Sequence, residues 1–498
     1  MSKRVLIMTP NIKGVKGKIN HVQPPLGAMT MASVLKERGY ETFIHDVALE
    51  GWDNIRYFGE REFVTGQDDD EIANEISNYA PNILGLSALF SNSIDSAHNI
   101  ARIAKKVNPK IKVVLGGNHI TNSVLDYQYA QRVRDSNIPE RLIDMEDRNI
   151  DYALIGESDF GFADLVDAIS NEDDVTKIRG LVMRRDSSIL EYVINEPGRI
   201  DDITLIPKPA RDLVNMKKYF EVGSFHLEES PSSRVVNVMA SRGCPEKCTF
   251  CSTPQMWGEK IRWRNMKDVL EEIADAKQDY GVGEIQFEDD SLTANMPKLL
   301  DLCKGLEKIG LPWCTPNGTR VNYHISSQPE MYGSMHDSGC YQVTLACESG
   351  NQRVLDEVAK KNLKLEQIKP TIENVKNAGM FVHTFWMLGL PGETYEEIQE
   401  TVDFARDSGA DSCSFAIYSP LPGTVKYREV MRDNLWWEGK DSSQLMYQSS
   451  LIKVPGFNGS EEFERFVAEA VKKTNNYFHR SDVERYRTKR KFLTRTKD

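Results

Sequence analysis

The sequence predicts two successive α/β domains, a doubly wound sheet and then a partial (β/α)6 barrel, followed by a helical C-terminal region. Three observations carry this prediction. Short apolar runs alternate with amphipathic stretches between Val5 and Ile169, as expected of parallel strands buried on both faces and joined by crossover helices. A second series of the same kind runs from Arg234 to Tyr418, after a stretch holding Pro197, Pro207, Pro209 and Pro231. At about 150 residues per domain, a chain of 498 residues has room for two to four domains.

In chain order, Val5–Met8 reads as a buried strand, and Leu26–Arg38 as a helix stopped by Gly39. Glu41–Asp46, Ile83–Ser87, Lys112–Gly117 and Asp151–Glu157 read as further strands, with helices over Ser93–Val107 and Phe162–Ile169. Residues 1–185 therefore form the first domain, a doubly wound sheet. Residues 186–232 are a connector. The second series has strands at Arg234–Met239, Glu284–Glu288, Trp313–Gly318, Gln342–Glu348, Phe381–Leu388 and Ser412–Tyr418, with helices such as Met266–Tyr280 and Tyr395–Ser408. Six such units over 233–430 suit a partial barrel with its chemistry at the C-terminal strand ends. Residues 431–498 read as helical and end in a basic stretch, Arg485–Lys497.

Composition narrows the function. The 62 Lys and Arg against 74 Asp and Glu leave −12, which argues against nucleic acid as the main partner. No apolar run reaches the ~18 residues of a spanning helix, so no membrane partner is expected. The basic-then-apolar start meets Thr9, Pro10 and Asn11 too soon for a signal peptide, and a cytoplasmic location follows as the expectation. The eight cysteines are too sparse for a disulfide scaffold, and none precedes Cys244.

Cys244, Cys248 and Cys251 follow the first strand of the second domain with the spacing Cys-x3-Cys-x2-Cys. Three thiolates so spaced hold three irons of a 4Fe-4S cubane and leave the fourth open. A structural zinc would want four closed ligands, and no fourth Cys or His lies nearby. With Phe250 before the third cysteine, residues 234–425 resemble the radical S-adenosylmethionine superfamily. That resemblance implies an open iron chelating the amino and carboxylate groups of S-adenosylmethionine, and an external one-electron reductant that triggers its cleavage to a 5′-deoxyadenosyl radical.

The resemblance assigns further positions. Glu288, Asp289 and Asp290 end the second strand, where carboxylates would accept from the S-adenosylmethionine ammonium. Glu348 and Ser349 resemble the family's Glu-Ser-Gly element. Gly389 and Pro391 lie in a turn whose glycines would admit adenine and ribose, and which also reads as a strand-to-helix turn with Thr394 as N-cap. Arg262 and Arg264 either hold the cofactor carboxylate or an anionic substrate, or are surface arginines stacked with tryptophans. Asn317 and Thr319 are candidate substrate-binding residues. The cysteines at 303, 314, 340, 347 and 413 have no paired spacing, which argues against a second cluster.

The first domain resembles the cobalamin-binding domain that precedes many of these barrels. Ser87, Leu89, Gly116, Gly117 and Glu157 stand at its strand ends, where small residues leave a crevice at the switch point for a corrin and its nucleotide tail. No Asp-x-His-x-x-Gly string occurs, and Ala48 stands where its histidine would be after Asp46. Cobalt is therefore expected without a histidine from that motif; His21, His45, His98 and His119 remain candidates.

Together the domains resemble the cobalamin-dependent radical S-adenosylmethionine methylases. The likeness implies methyl capture from methylcobalamin by an unactivated sp3 carbon. Stretches at Tyr57–Asp69, Leu311–Thr319 and Gly339–Thr344 extend the likeness to the branch that methylates C2 of a cytidylyl phosphonate in antibiotic biosynthesis. A P-methylase, a non-methylating cyclase or oxidase, and a cobalamin-binding sensor are the alternatives.

Overall fold

The computed structural model describes residues 3–15, 21–58, 62–133, 141–185, 191–223, 232–441, 444–445 and 449–477. Pro231, part of the Tyr57–Asp69 stretch and the basic stretch Arg485–Lys497 lie outside the described residues.

The first domain is built on a seven-stranded sheet. Its strands are β1 (Arg4–Thr9), β2 (Glu41–Asp46), β3 (Ile83–Ser87), β4 (Lys112–Gly116), β5 (Tyr152–Leu154), β6 (Leu181–Arg184) and β7 (Tyr192–Ile194), in the spatial order β7-β6-β5-β4-β3-β1-β2. Strands β1 to β5 pair in parallel. The chain leaves β1 toward β2 on one side and returns to β3 on the other. The C-terminal ends of β1 and β3 thus flank the switch point, as the doubly wound pattern requires. The hairpin β6–β7 extends the sheet antiparallel past residue 186, so the stretch read as connector begins inside the sheet. A separate antiparallel sheet of Ile12–Val15, Ile55–Phe58 and Glu62–Thr65 covers one side.

The second domain has six parallel strands in sequential order: β8 (Val235–Val238), β9 (Glu284–Phe287), β10 (Trp313–Thr319), β11 (Cys340–Glu348), β12 (Phe381–Leu388) and β13 (Ser412–Ile417). No pairing joins β8 to β13 among the described residues, so the barrel is partial. Period-2 alternation sorts its side chains. On β12, Val382, Trp386 and Leu388 are buried in the core under the helices, while His383, Phe385 and Met387 take the inner face and remain half-buried. Ser412, Ser414 and Ala416 do the same on β13. The region after 430 is less helical than its sequence reads: the described part holds Ser460–Tyr477 as its long helix, after a loop stretch.

Candidate active site

The cysteine loop hangs from a two-stranded ribbon, Ser241–Arg242 paired antiparallel with Arg262–Trp263. Within it Cys244, Cys248 and Cys251 are half-buried free thiols, whereas the other five cysteines are buried. The Cys251 N–H donates to the Cys248 carbonyl at 3.2 Å and the Cys244 N–H to the Gly258 carbonyl at 3.1 Å, which folds the loop back on itself. Thr249 anchors it to the barrel through its N–H to the Ala359 carbonyl (3.0 Å) and its hydroxyl to the Val358 carbonyl (2.7 Å). Among the described residues no three ligand side chains converge tightly enough for a single metal ion. Thiolates that each take a different corner of a cubane have no need to converge on one point. Burial pushes the Cys251 thiol up to about 12, against the Thr253 N–H at 3.4 Å. Iron reverses that balance, since a coordinating thiol is deprotonated outright. Phe250 packs against a small core with Val354, Val358 and Leu390, and so steadies the loop.

Two cations that the sequence pattern did not single out flank Cys248. Lys361 is buried with its ammonium 2.7 Å from Glu348, and the Arg320 guanidinium donates to the Lys361 carbonyl at 2.6 Å. Burial raises the Cys248 thiol, and both cations oppose that rise. The backbone here is strained. Glu348, Lys360 and Asn362 take the left-handed region at φ 67, 49 and 52°, and Val354–Val358 is a π-helical turn. Such departures cluster at functional sites. A lysine between two ordinary loop residues has no sequence signature, so only the fold exposes it.

At the barrel's upper rim the three acids separate in role. Asp289 accepts from the N–H groups of Ala240 (2.9 Å) and Ser241 (2.5 Å) and from the Ser241 hydroxyl (2.6 Å), which makes it a turn-former; burial still pushes it up to about 7. Asp290 is pushed up to about 6 by burial and accepts from the Thr253 hydroxyl at 3.2 Å. Glu288 is buried, and its carbonyl accepts from Asn317 at 2.8 Å, leaving the Asn317 side chain exposed. The Thr319 hydroxyl donates to the Thr344 carbonyl. Ser349 is fully buried against Thr401.

Gly389 is explained by packing. A Cβ there would stand 2.9 Å from Phe463 and 3.1 Å from Val454, so packing against the C-terminal region itself requires glycine. Its N–H donates to Glu393, which burial pushes up to about 8, and the Pro391 carbonyl accepts from the buried Lys426. Thr394 and Glu397 complete a capping box, as the strand-to-helix reading requires.

Deeper in the lumen, His383 bonds the hydroxyls of Ser412 (2.6 Å) and Ser414 (3.0 Å), and burial pushes its pKa down to about 4. Gln286, Gln342 and Thr344 occupy the strand faces opposite the core and each keep one buried polar atom without a partner.

Arg262 and Arg264 are corrected by their partners. Arg262 is buried, 2.6 Å from Glu157 and also bonded to the carbonyls of Trp257 and Ile200; Arg264 lies 2.7 Å from the buried Glu272. Arg262 thus has both terminal nitrogens engaged, and Arg264 spends Nη1 on Glu272 and the Met239 carbonyl. Glu157 is corrected with them, since its carboxylate is spent on Arg242, Arg262 and the Ile200 N–H rather than turned to the crevice.

Ser87 is half-buried at the end of β3, and Leu89 and Phe90 beyond it are 52% and 66% exposed. A Cβ on Gly116 would find only the Leu154 carbonyl, 3.9 Å away. Gly117, at φ 113°, differs: its Cβ would stand 2.3 Å from the Ala88 carbonyl, so the fold demands it. Open backbone beside an exposed apolar patch fits a flat corrin. Both nitrogens of His119 are engaged, by Ser91 at 2.8 Å and Asp144 at 3.3 Å, and His98 bridges Asp144 and Asp147. His45 bonds Gln67 at 2.6 Å.

The pattern of the radical SAM superfamily matches residues 238–405, and that of the B12 binding domain matches 12–133. The cytidylyl-2-hydroxyethylphosphonate methyltransferase of Streptomyces wedmorensis is 31% identical over 96% of this chain and 90% of its own length. The chain belongs to the cobalamin-dependent radical S-adenosylmethionine methyltransferases. An uncharacterized methyltransferase of Pyrococcus horikoshii is 30% identical over 87% of this chain and 84% of that protein. The fold is shared with the radical S-adenosylmethionine methyltransferase TsrM of Kitasatospora setae with cobalamin and a 4Fe-4S cluster bound, at TM-score 0.64 and 16% identity over 86% of this chain and 78% of that one. A 4Fe-4S cluster, S-adenosylmethionine and cobalamin are thus the cofactors of this methyltransferase. No described helix is long and apolar enough to cross a membrane.

Proposed function

We propose that this methyltransferase acts on an unactivated sp3 carbon of a nucleotidyl phosphonate, C2 of cytidylyl-2-hydroxyethylphosphonate being the first candidate. The observation that carries the reading is identity of 31% over nearly the whole of both chains. Its support in the site is a lumen of hydrogen-bonding groups, His383, Ser412, Ser414, Gln286, Gln342 and Thr344, with the buried Glu284 beside Gln286, which suits a polar substrate.

In this reading Cys244, Cys248 and Cys251 hold the cluster and an external reductant supplies its electron. Glu288 and Asp290 receive the S-adenosylmethionine ammonium; Lys361 and Arg320 supply the positive field beside Cys248. Ser87, Leu89 and Gly116 border cobalamin. When bound, the cluster would supply the one-electron chemistry on S-adenosylmethionine and cobalamin would supply the methyl group. The protein's part is to orient both over one lumen and to exclude water from it.

The test is anaerobic incubation of reduced, reconstituted protein with cobalamin, S-adenosylmethionine and the candidate phosphonate, read by mass spectrometry. A product heavier by one methylene is expected. Formation of 5′-deoxyadenosine without that product would reject the substrate and spare the chemistry.

A further inference from the structure

The ribbon that carries the cysteine loop is gripped by the first domain. Arg242 forks onto Asp159, with Nη1 to Oδ2 at 2.7 Å and Nη2 to Oδ1 at 3.0 Å, and reaches Glu157 at 3.4 Å. Arg262, on the partner strand of the ribbon, lies 2.6 Å from the other Glu157 oxygen. All four side chains are at least nine-tenths buried, and Trp257 covers the Arg242 guanidinium at 4.8 Å. Glu157 and Asp159 directly follow β5, on the same sheet edge as Gly116. The Gly156 N–H donates to Thr121 at 3.0 Å, which ties this turn to the helix that follows Gly117. That helix reaches the cysteine loop itself, from Asn118 to Ser252, the residue after Cys251, at 3.2 Å.

The strand ends that border the cobalamin crevice therefore hold the cysteine loop at its base and near its tip. We propose that Glu157 and Asp159 form a positioning clamp that sets the cluster loop at a fixed place relative to the cobalamin crevice. The clamp rests on the assignment of that crevice to cobalamin and goes beyond it. A bidentate fork fixes direction as well as distance, which a surface ion pair does not. Buried pairs of this kind need not add net stability over apolar residues, which leaves geometry as their service. Transfer between the two cofactors then depends on Asp159, while cleavage of S-adenosylmethionine at the cluster, whose loop Thr249 still anchors to the barrel, does not.

The test uses full-length Asp159→Asn and Asp159→Glu. In protein without cofactors, hydrogen exchange of the 241–263 segment is expected to speed up at least tenfold in D159N while β11 and β12 stay unchanged. In reconstituted protein given cobalamin, S-adenosylmethionine and dithionite, D159N should lower S-adenosylhomocysteine formation at least tenfold. Its 5′-deoxyadenosine formation and cobalamin affinity should stay within twofold of the parent. D159E keeps the charge and should fall between, which keeps the proposal testable if D159N does not fold. Parental exchange in the ribbon, or equal losses of the two products, would overturn the clamp. Lost cobalamin affinity in D159N would place Asp159 in the crevice instead, and overturn it as well.

Discussion

The two domains present their ligand sites at the same kind of edge, the C-terminal ends of parallel strands, and build them by opposite means. The first domain works by omission: Gly116 leaves open backbone, and Leu89 and Phe90 stay exposed beside it. The barrel works by charge: Glu348, Lys361, Arg320, Glu246, Asp289 and Asp290 crowd around three thiols in largely buried positions. A crevice of omitted side chains is sensitive to added volume. A buried charged rim is sensitive to lost partners.

Each difference can be broken separately. The largest effect is expected from Cys248→Ala, which should abolish cluster absorbance and 5′-deoxyadenosine formation and leave cobalamin binding at the parental level by titration. Gly116→Leu is the counterpart, filling open space: the cobalamin Kd should rise at least tenfold with the melting temperature unchanged and cluster absorbance intact. Lys361→Met strands Glu348 without its cation, a loss of about 3–5 kcal/mol for a broken buried pair, readable by denaturant unfolding. Gly117→Ala meets both a carbonyl and a left-handed φ, and should cost about 1–3 kcal/mol. The smallest effect is one of pH. Burial lowers the His98 pKa, but hydrogen bonds to Asp144 and Asp147 outweigh it and raise it from 6.5 to about 9. A raised folded pKa stabilises fully below 6.5 and is lost as pH climbs through about 9. The melting temperature should fall over that window, and His98→Gln should flatten the fall.

Much of this contrast is legible in the sequence, and the rest is hidden for a physical reason. Apolar runs locate the parallel strands of both large sheets, because a strand buried on both faces has a local signature, and miss the antiparallel pair β6–β7. The antiparallel sheet of Ile12–Val15, Ile55–Phe58 and Glu62–Thr65 lacks one, since its strands are short and half-exposed, and Ile12–Val15 finds its partner dozens of residues away. The same holds for the sites. Cysteine spacing and strand-end glycines are local patterns. The partners of Arg262 and Arg242 lie 105 and 83 residues away in the chain, so their charge reads as an anion receptor until the fold supplies Glu157 and Asp159. Gly389 is the converse case, a glycine whose local motif suggests a ligand and which distant packing against Phe463 also requires.

The central claim is that both sites serve one methyl transfer. The most direct measurement is the ratio of S-adenosylhomocysteine to 5′-deoxyadenosine during turnover of the candidate phosphonate by the reconstituted protein. The account predicts equal amounts of the two, each matched by methylated product. Turnover of the phosphonate with 5′-deoxyadenosine but no S-adenosylhomocysteine would contradict it.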